Sequence, residues 1–216
     1  MVTIAPPPPD RRRRISPSHH TVQPGTNVFR IYDPHAPHGL RDGELFRWHG
    51  PYARFDHHRG TGGRERRGIW YGGLTLACAV VEAFGIGAVD PGTKRLARAR
   101  ATRELVLLDL RGRAAMRAGT FAAISAGDHS LSQQWSRYFW EHPELYRELD
   151  GLLYLSAHNG EAAIALYERC RNGVDVQRGH DVPLTDPAVL AAVRRVALAH
   201  ALVVLLSPPR RRNPSP

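Results

Sequence analysis

Residues 70–85 read WYGGLTLACAVVEAFG, and this stretch narrows the folds open to the chain more than any other. An aromatic pair fit for a strand meets two glycines that break it. Thr75 then stands where it can cap a helix running to Phe84. From Leu74 to Phe84 nearly every residue is small or apolar, so the helix belongs against a core. Glu82 is the exception. An ionised carboxylate is rarely buried, because leaving water costs several kcal/mol unless the charge is paired. Glu82 therefore either points out of the core or is held at it for a purpose.

The rest of the chain mixes strands and helices without a βαβ repeat. VFRIY (28–32), GIWYG (68–72), ELVLLDLRG (104–112), GLLYLS (151–156) and EAAIALYERC (161–170) read as strands, the last two joined by a turn at HNG. ARFD (53–56) reads as a short strand. Leu131, Trp135, Tyr138 and Phe139 recur at helical spacing and read as core. Asp186 and Pro187 start a last helix as cap and first-turn residue. This order predicts an α+β fold rather than a doubly wound sheet. Trp70 and Tyr71 are neighbours on one strand, so the alternation of a strand predicts that one of them is exposed.

The 216 residues suit one domain, and the formal charge of +10 raises nucleic acid as a partner. The charge sits at the ends. Arg11–Arg14 and Arg210–Arg212 supply seven positive charges and Asp10 removes one, which leaves +4 for everything between. Residues 1–26 and 207–216 are Pro- and Arg-rich and are expected as disordered tails, with the folded domain at 27–206. The N-terminus lacks the apolar segment of a secretory signal. VALAHALVVLLS is too short to span a bilayer. Two cysteines, Cys78 and Cys170, make no disulfide framework and read as buried free thiols in a cytoplasmic protein.

Common nucleotide, hydrolase and zinc motifs are missing from the sequence. RGTGGRERRG (59–68) lacks phosphate-loop spacing and reads as a surface loop. His35, His38, His49, His57 and His58 lie in loops without the spacing that zinc sites use, so no metal is expected.

Four places together resemble the RES domain, named for its arginine, glutamate and serine. They are the arginine in VFRIY, the arginine in ARFD, the tyrosine and glutamate of WYGGLTLACAVVEAF, and the serine closing DGLLYLS. Such domains are the toxins of RES–Xre toxin–antitoxin pairs. The resemblance spans about Val28 to Arg169. It implies an α+β fold related to ADP-ribosyltransferase toxins and cleavage of the nicotinamide–ribose bond of NAD⁺. In that role NAD⁺ is a substrate, not a cofactor. Carried over by position, Arg30, Tyr71 and Glu82 are catalytic, and Arg30, Arg54, Tyr71 and Ser156 bind substrate. Two departures stand out: Asp56 where many relatives have asparagine, and Leu155 where many have proline. The resemblance also implies a helix-turn-helix antitoxin of the Xre type, through which any contact with nucleic acid would be indirect.

The chemistry fits these residue types. Cleavage develops positive charge on the ribose while nicotinamide leaves neutral, so no general acid is needed. A carboxylate facing that charge is the task for Glu82. The planar forks of Arg30 and Arg54 match diphosphate oxygens. Tyr71 can stack on nicotinamide, and Ser156 can bond ribose or orient Glu82 or the acceptor. Phosphate, water and a protein side chain all remain open as acceptors. A binding module acting on nucleic acid through the basic tails is the reading from another class.

Overall fold

The computed structural model describes residues 4–36, 40–60, 64–85 and 87–205. His38 and the basic segment 207–216 lie outside these residues, as do residues 61–63 of the Gly- and Arg-rich stretch.

The centre is a nine-stranded sheet built from β1 (His19–Val22), β2 (Asn27–Tyr32), β3 (Arg47–His49), β4 (Arg64–Gly73), β6 (Arg95–Ala101), β7 (Leu105–Asp109), β8 (Gly151–Leu155), β9 (Ala162–Tyr167) and β10 (Val174–Pro183). Strand order is β1-β7-β8-β9-β4-β2-β6-β10, with β3 on β4. Only β7 and β8 run parallel within this sheet. Two-residue strands β5 (Ala88–Val89) and β11 (Val203–Val204) form a separate parallel pair. Helices α1 (Leu76–Phe84), α2 (Arg113–Arg117), α3 (His129–Glu141), α4 (Pro143–Tyr146) and α5 (Pro187–Ala199) cover the sheet. The mixture is α+β, as the sequence predicts.

The sheet curls on itself. Val28 and Ala99 from one half share a core with Leu107, Leu153 and Leu166 from the other. The outer face packs under α3 and α4 through Ile69, Trp135, Phe139 and Tyr146. A third core joins α1 and α5 over Phe29, Ile31 and Leu96. With both faces covered, neither member of the aromatic pair is free. Trp70 is fully buried inside the curl and donates from Nε1 to Gly43 O at 2.7 Å, while Tyr71 is half-buried against the α3 side. The expectation of one exposed aromatic fails because the strand has no solvent face.

The capping signals hold. Thr75 accepts from Cys78 N at 2.9 Å, and Asp186 accepts from Ala188 N and Val189 N at the start of α5. β6 and β10 are additions to the strands the sequence suggests. ARFD is a turn and not a strand. The Asp56 carboxylate accepts from Tyr52 N at 2.6 Å and Ala53 N at 3.0 Å, which folds the chain back on itself.

Residues 4–26 are not a loose tail. His19–Val22 pairs with β7, Ile4 and Ile15 pack on the main core, and Trp135 Nε1 donates to Ala5 O at 2.9 Å. The Arg13 guanidinium donates to Met116 O and Gly119 O, both at 2.9 Å. Composition misled here because two isoleucines and a strand are enough to anchor a Pro-rich segment when a partner surface waits for them.

Candidate active site

A cleft opens where two neighbouring strands part. β2 and β4 meet at a single register pair, Phe29 opposite Gly73. Beyond it the segment from Gly43 to β3 takes the place beside β4. Gly43 O accepts from Trp70 and from Arg30 Nη1, at 2.7 and 3.3 Å. The parting strands, α1 and the 51–58 arch enclose about 360 Å³. That is the size class of small-molecule sites.

Glycine at 73 permits this shape. A Cβ there would stand 2.8 Å from Ala79 N, so any side chain would push α1 off the strand. The close approach puts the last turn of α1 at the cleft, and Glu82 lines it from an exposed position. Among the described residues, no hydrogen bond or ion pair ends on its carboxylate.

Arg30, Arg54 and Tyr71 line the same cleft. The Arg30 guanidinium donates from Nη1 to Leu45 O at 2.9 Å and lies over the Trp70 ring, 5.2 Å from its centroid. Burial and the neighbouring Arg47 charge push its pKa down to about 9, which leaves it cationic at neutral pH. Arg54 donates from Nη1 to Gly127 O, just before the Asp128 cap of α3. Each guanidinium thus has one nitrogen tied to backbone.

The arch that carries Arg54 is held from two sides. From α3, Gln133 donates to Ala53 O at 3.0 Å, Ser136 to Phe55 O at 2.6 Å and Arg137 to His58 O at 2.8 Å. From the sheet, Arg47 Nη2 bonds both oxygens of Asp56, at 2.6 and 2.8 Å. Tyr71 OH donates to Asp56 Oδ1 at 2.8 Å and accepts from Phe55 N at 3.0 Å. Burial, and then the Asp56 carboxylate, push the Tyr71 hydroxyl well above its ordinary pKa. Asp56 is fully buried. Its charge is spent on Arg47 and on the arch, so it is no loose negative charge beside Arg54.

Ser156 is the expected site residue that the cleft lining lacks. It is buried at the end of β8, and its Oγ accepts from His158 N at 3.2 Å. His158 itself lines the cleft, with His129 and Tyr154. Sequence reasoning missed these three. The only local signal for His158 is its place two residues after Ser156. His129 reaches the cleft because Asp128 caps α3 there, and Tyr154 because strand alternation turns it away from the curl.

Arg47 and Tyr71 close on the buried Asp56 carboxylate, and Glu82 lines the same cleft unpaired among the described residues. That geometry accompanies a family match over most of the fold: the RES domain profile covers residues 27–186. The chain belongs to the RES domain family. It is 38% identical over 106 residues to the probable toxin y4kH of Sinorhizobium fredii, a match covering 48% of this chain and 79% of that protein. Its fold resembles one in the crystal structure of the M. tuberculosis MbcT–MbcA toxin–antitoxin complex. There the TM-score is 0.51 at 19% identity, over 81% of this chain and 92% of the other. The RES match begins at the first residue of β2, so β1 and the packed segment before it lie outside the matched region.

Proposed function

We propose that this RES domain is the toxin of a toxin–antitoxin pair and that it consumes NAD⁺, cleaving the nicotinamide–ribose bond and passing ADP-ribose to phosphate or water. The observation that carries this reading is the meeting of Arg30, Arg54 and an unpaired Glu82 in one cleft beside the Tyr71 ring. Two cations suit a diphosphate, and each guanidinium has donors beyond the nitrogen tied to backbone. The Glu82 carboxylate has no protein partner among the described residues, so it is available to bond a ribose hydroxyl and face the developing positive charge. Tyr71 presents its ring to the cleft while Asp56 and Phe55 N hold its hydroxyl, which fits stacking on nicotinamide rather than proton transfer.

Ser156 acts at one remove in this reading, by positioning His158. The partner is an antitoxin of the Xre helix-turn-helix type that covers the cleft mouth. The reading through basic tails loses support at the N-terminal end, where Arg13 is docked on backbone carbonyls and Arg12 is paired with Asp10.

The test mixes purified protein with NAD⁺, with and without inorganic phosphate, and follows nicotinamide release and product mass. Release that disappears in Glu82→Gln is the expected result, and product mass names the acceptor. Release that requires cell extract and labels a protein would replace phosphate or water by a protein acceptor. A folded sample that releases no nicotinamide, with or without extract, would sink the reading.

A further inference from the structure

The turn after β8 is tied on every side but one. Ser156 N donates to Glu161 O at 2.8 Å, and Gly160 N to Ser156 O at 2.9 Å. Asn159 Oδ1 accepts from Glu161 N at 3.1 Å. The Thr75 hydroxyl at the head of α1 donates to Glu161 Oε2. The Asn159 amide meets His200 Nε2 at 3.3 Å, at the end of α5. The Ser156 hydroxyl fixes the His158 backbone. So many ties make a rigid turn, and a rigid turn presents its remaining side chain at a defined place.

That side chain is the His158 imidazole. It is exposed, lines the cleft with Glu82, and its Cε1 lies 3.5 Å from where a Cβ on Gly85 would stand. Gly85 closes α1 one turn after Glu82, so the ring sits on the Glu82 side of the cleft. Among the described residues no hydrogen bond ends on either ring nitrogen. The other groups of the cleft serve poorly as a base. Glu82 would lose its use against the ribosyl cation on taking a proton. Burial drives the Tyr154 and Tyr71 hydroxyls well above their ordinary pKa, so both keep their protons. His129 lies on the opposite side, next to the Gly127–Arg54 contact.

We infer that His158 is the catalytic base that takes the proton from an attacking hydroxyl oxygen, with water as the simplest case. The inference rests on the NAD⁺-cleaving reading. In the step, the ribose C1–N bond breaks and its electron pair passes to nicotinamide, which leaves neutral. A bond forms from the acceptor oxygen to C1, and the acceptor proton moves to the free imidazole nitrogen and then to solvent. A phosphate acceptor attacks through an oxygen that is already charged and needs this help far less.

The experiment compares the unsubstituted protein with His158→Ala and His158→Gln in two arms, one without phosphate and one at saturating phosphate, scoring ADP-ribose and its 1-phosphate separately. The expected result is a loss of about 100-fold or more in hydrolysis. The phosphate arm falls less than about tenfold, and added imidazole restores hydrolysis in His158→Ala. An unchanged rate, an equal loss in both arms, or no rescue by imidazole would overturn the assignment. Failure of the unsubstituted protein to release any nicotinamide would instead overturn the NAD⁺ reading, and needs no variant to be seen.

Discussion

The two walls of the cleft are built on opposite plans. On the arch side the buried carboxylate is answered. Asp56 is fully buried, yet it has two bonds from Arg47, one from Tyr71 and two from backbone N–H groups. On the α1 side Glu82 and His158 are exposed and unanswered among the described residues, while the backbone beneath them is firmly tied. A polar group buried without a partner costs about 1–3 kcal/mol, and a charge more, so a carboxylate buried as Asp56 is needs its partners around it. An exposed wall carries no such demand and can keep groups free for a ligand. The arch thus holds its buried carboxylate fully paired, while α1 and the turn after β8 leave Glu82 and His158 free among the described residues.

This contrast is easiest to break on the arch side. Asp56→Ala leaves the Arg47 guanidinium and the Tyr71 hydroxyl without their acceptor. It should cost about 3–5 kcal/mol, seen as a lower urea midpoint or Tm. Asp56→Asn keeps the shape and one of the two acceptor oxygens and should cost less. A small effect of Asp56→Ala would mean that the network is ornamental and the contrast false.

Next in size is Glu82→Gln. Nicotinamide release should fall by about 100- to 1,000-fold, or about 2.7–4 kcal/mol in activation free energy. Stability should stay within the small range of a surface change, about 0.5 kcal/mol, read from the urea midpoint or Tm. Activity lost together with stability would give Glu82 a structural role instead.

Acidity provides a graded probe. His57 and His58, the last two residues of the arch, are fully buried, and burial pushes both imidazoles below their ordinary pKa. The unfolded chain therefore binds protons first as pH falls. Stability declines below about pH 6.5 by at most about 1.4 kcal/mol per pH unit for each ring. Thermal melts at pH 7, 6 and 5 should show this decline, and His58→Gln should flatten it. A Tm that does not move over this range would remove the arch from the acid-sensitive part of the fold.

The smallest effect expected is on the α1 side. Thr75→Ala removes the helix cap and the hydroxyl that reaches Glu161, at a cost of about 1 kcal/mol. Activity should fall more than this stability loss implies, since the same hydroxyl links α1 to the turn bearing His158. A fall in stability alone would confine Thr75 to capping.

The sequence by itself determined the local elements and four members of the cleft. Apolar periodicity, the Thr75 and Asp186 caps and the glycine pair at 72–73 act within a few residues, so strand β4, helix α1 and helix α5 are legible in the residues that form them. The order of arginine, tyrosine and glutamate along the chain resembles the RES pattern, and Arg30, Arg54, Tyr71 and Glu82 do meet in one cleft. Only the tertiary structure decided the rest. Ser156 is under its turn and not in the cleft lining, while His158, two residues on, is in it. Asp56 looked like an added charge and is a buried keystone, because its partners Arg47 and Tyr71 come from different strands. The Pro- and Arg-rich start has the composition of a tail, and it is packed because Trp135, Gly119 and β7, far along the chain, offer it a surface. A helix cap is satisfied by near neighbours and can be read in order. A buried charge or a docked strand is satisfied only by residues that folding brings together.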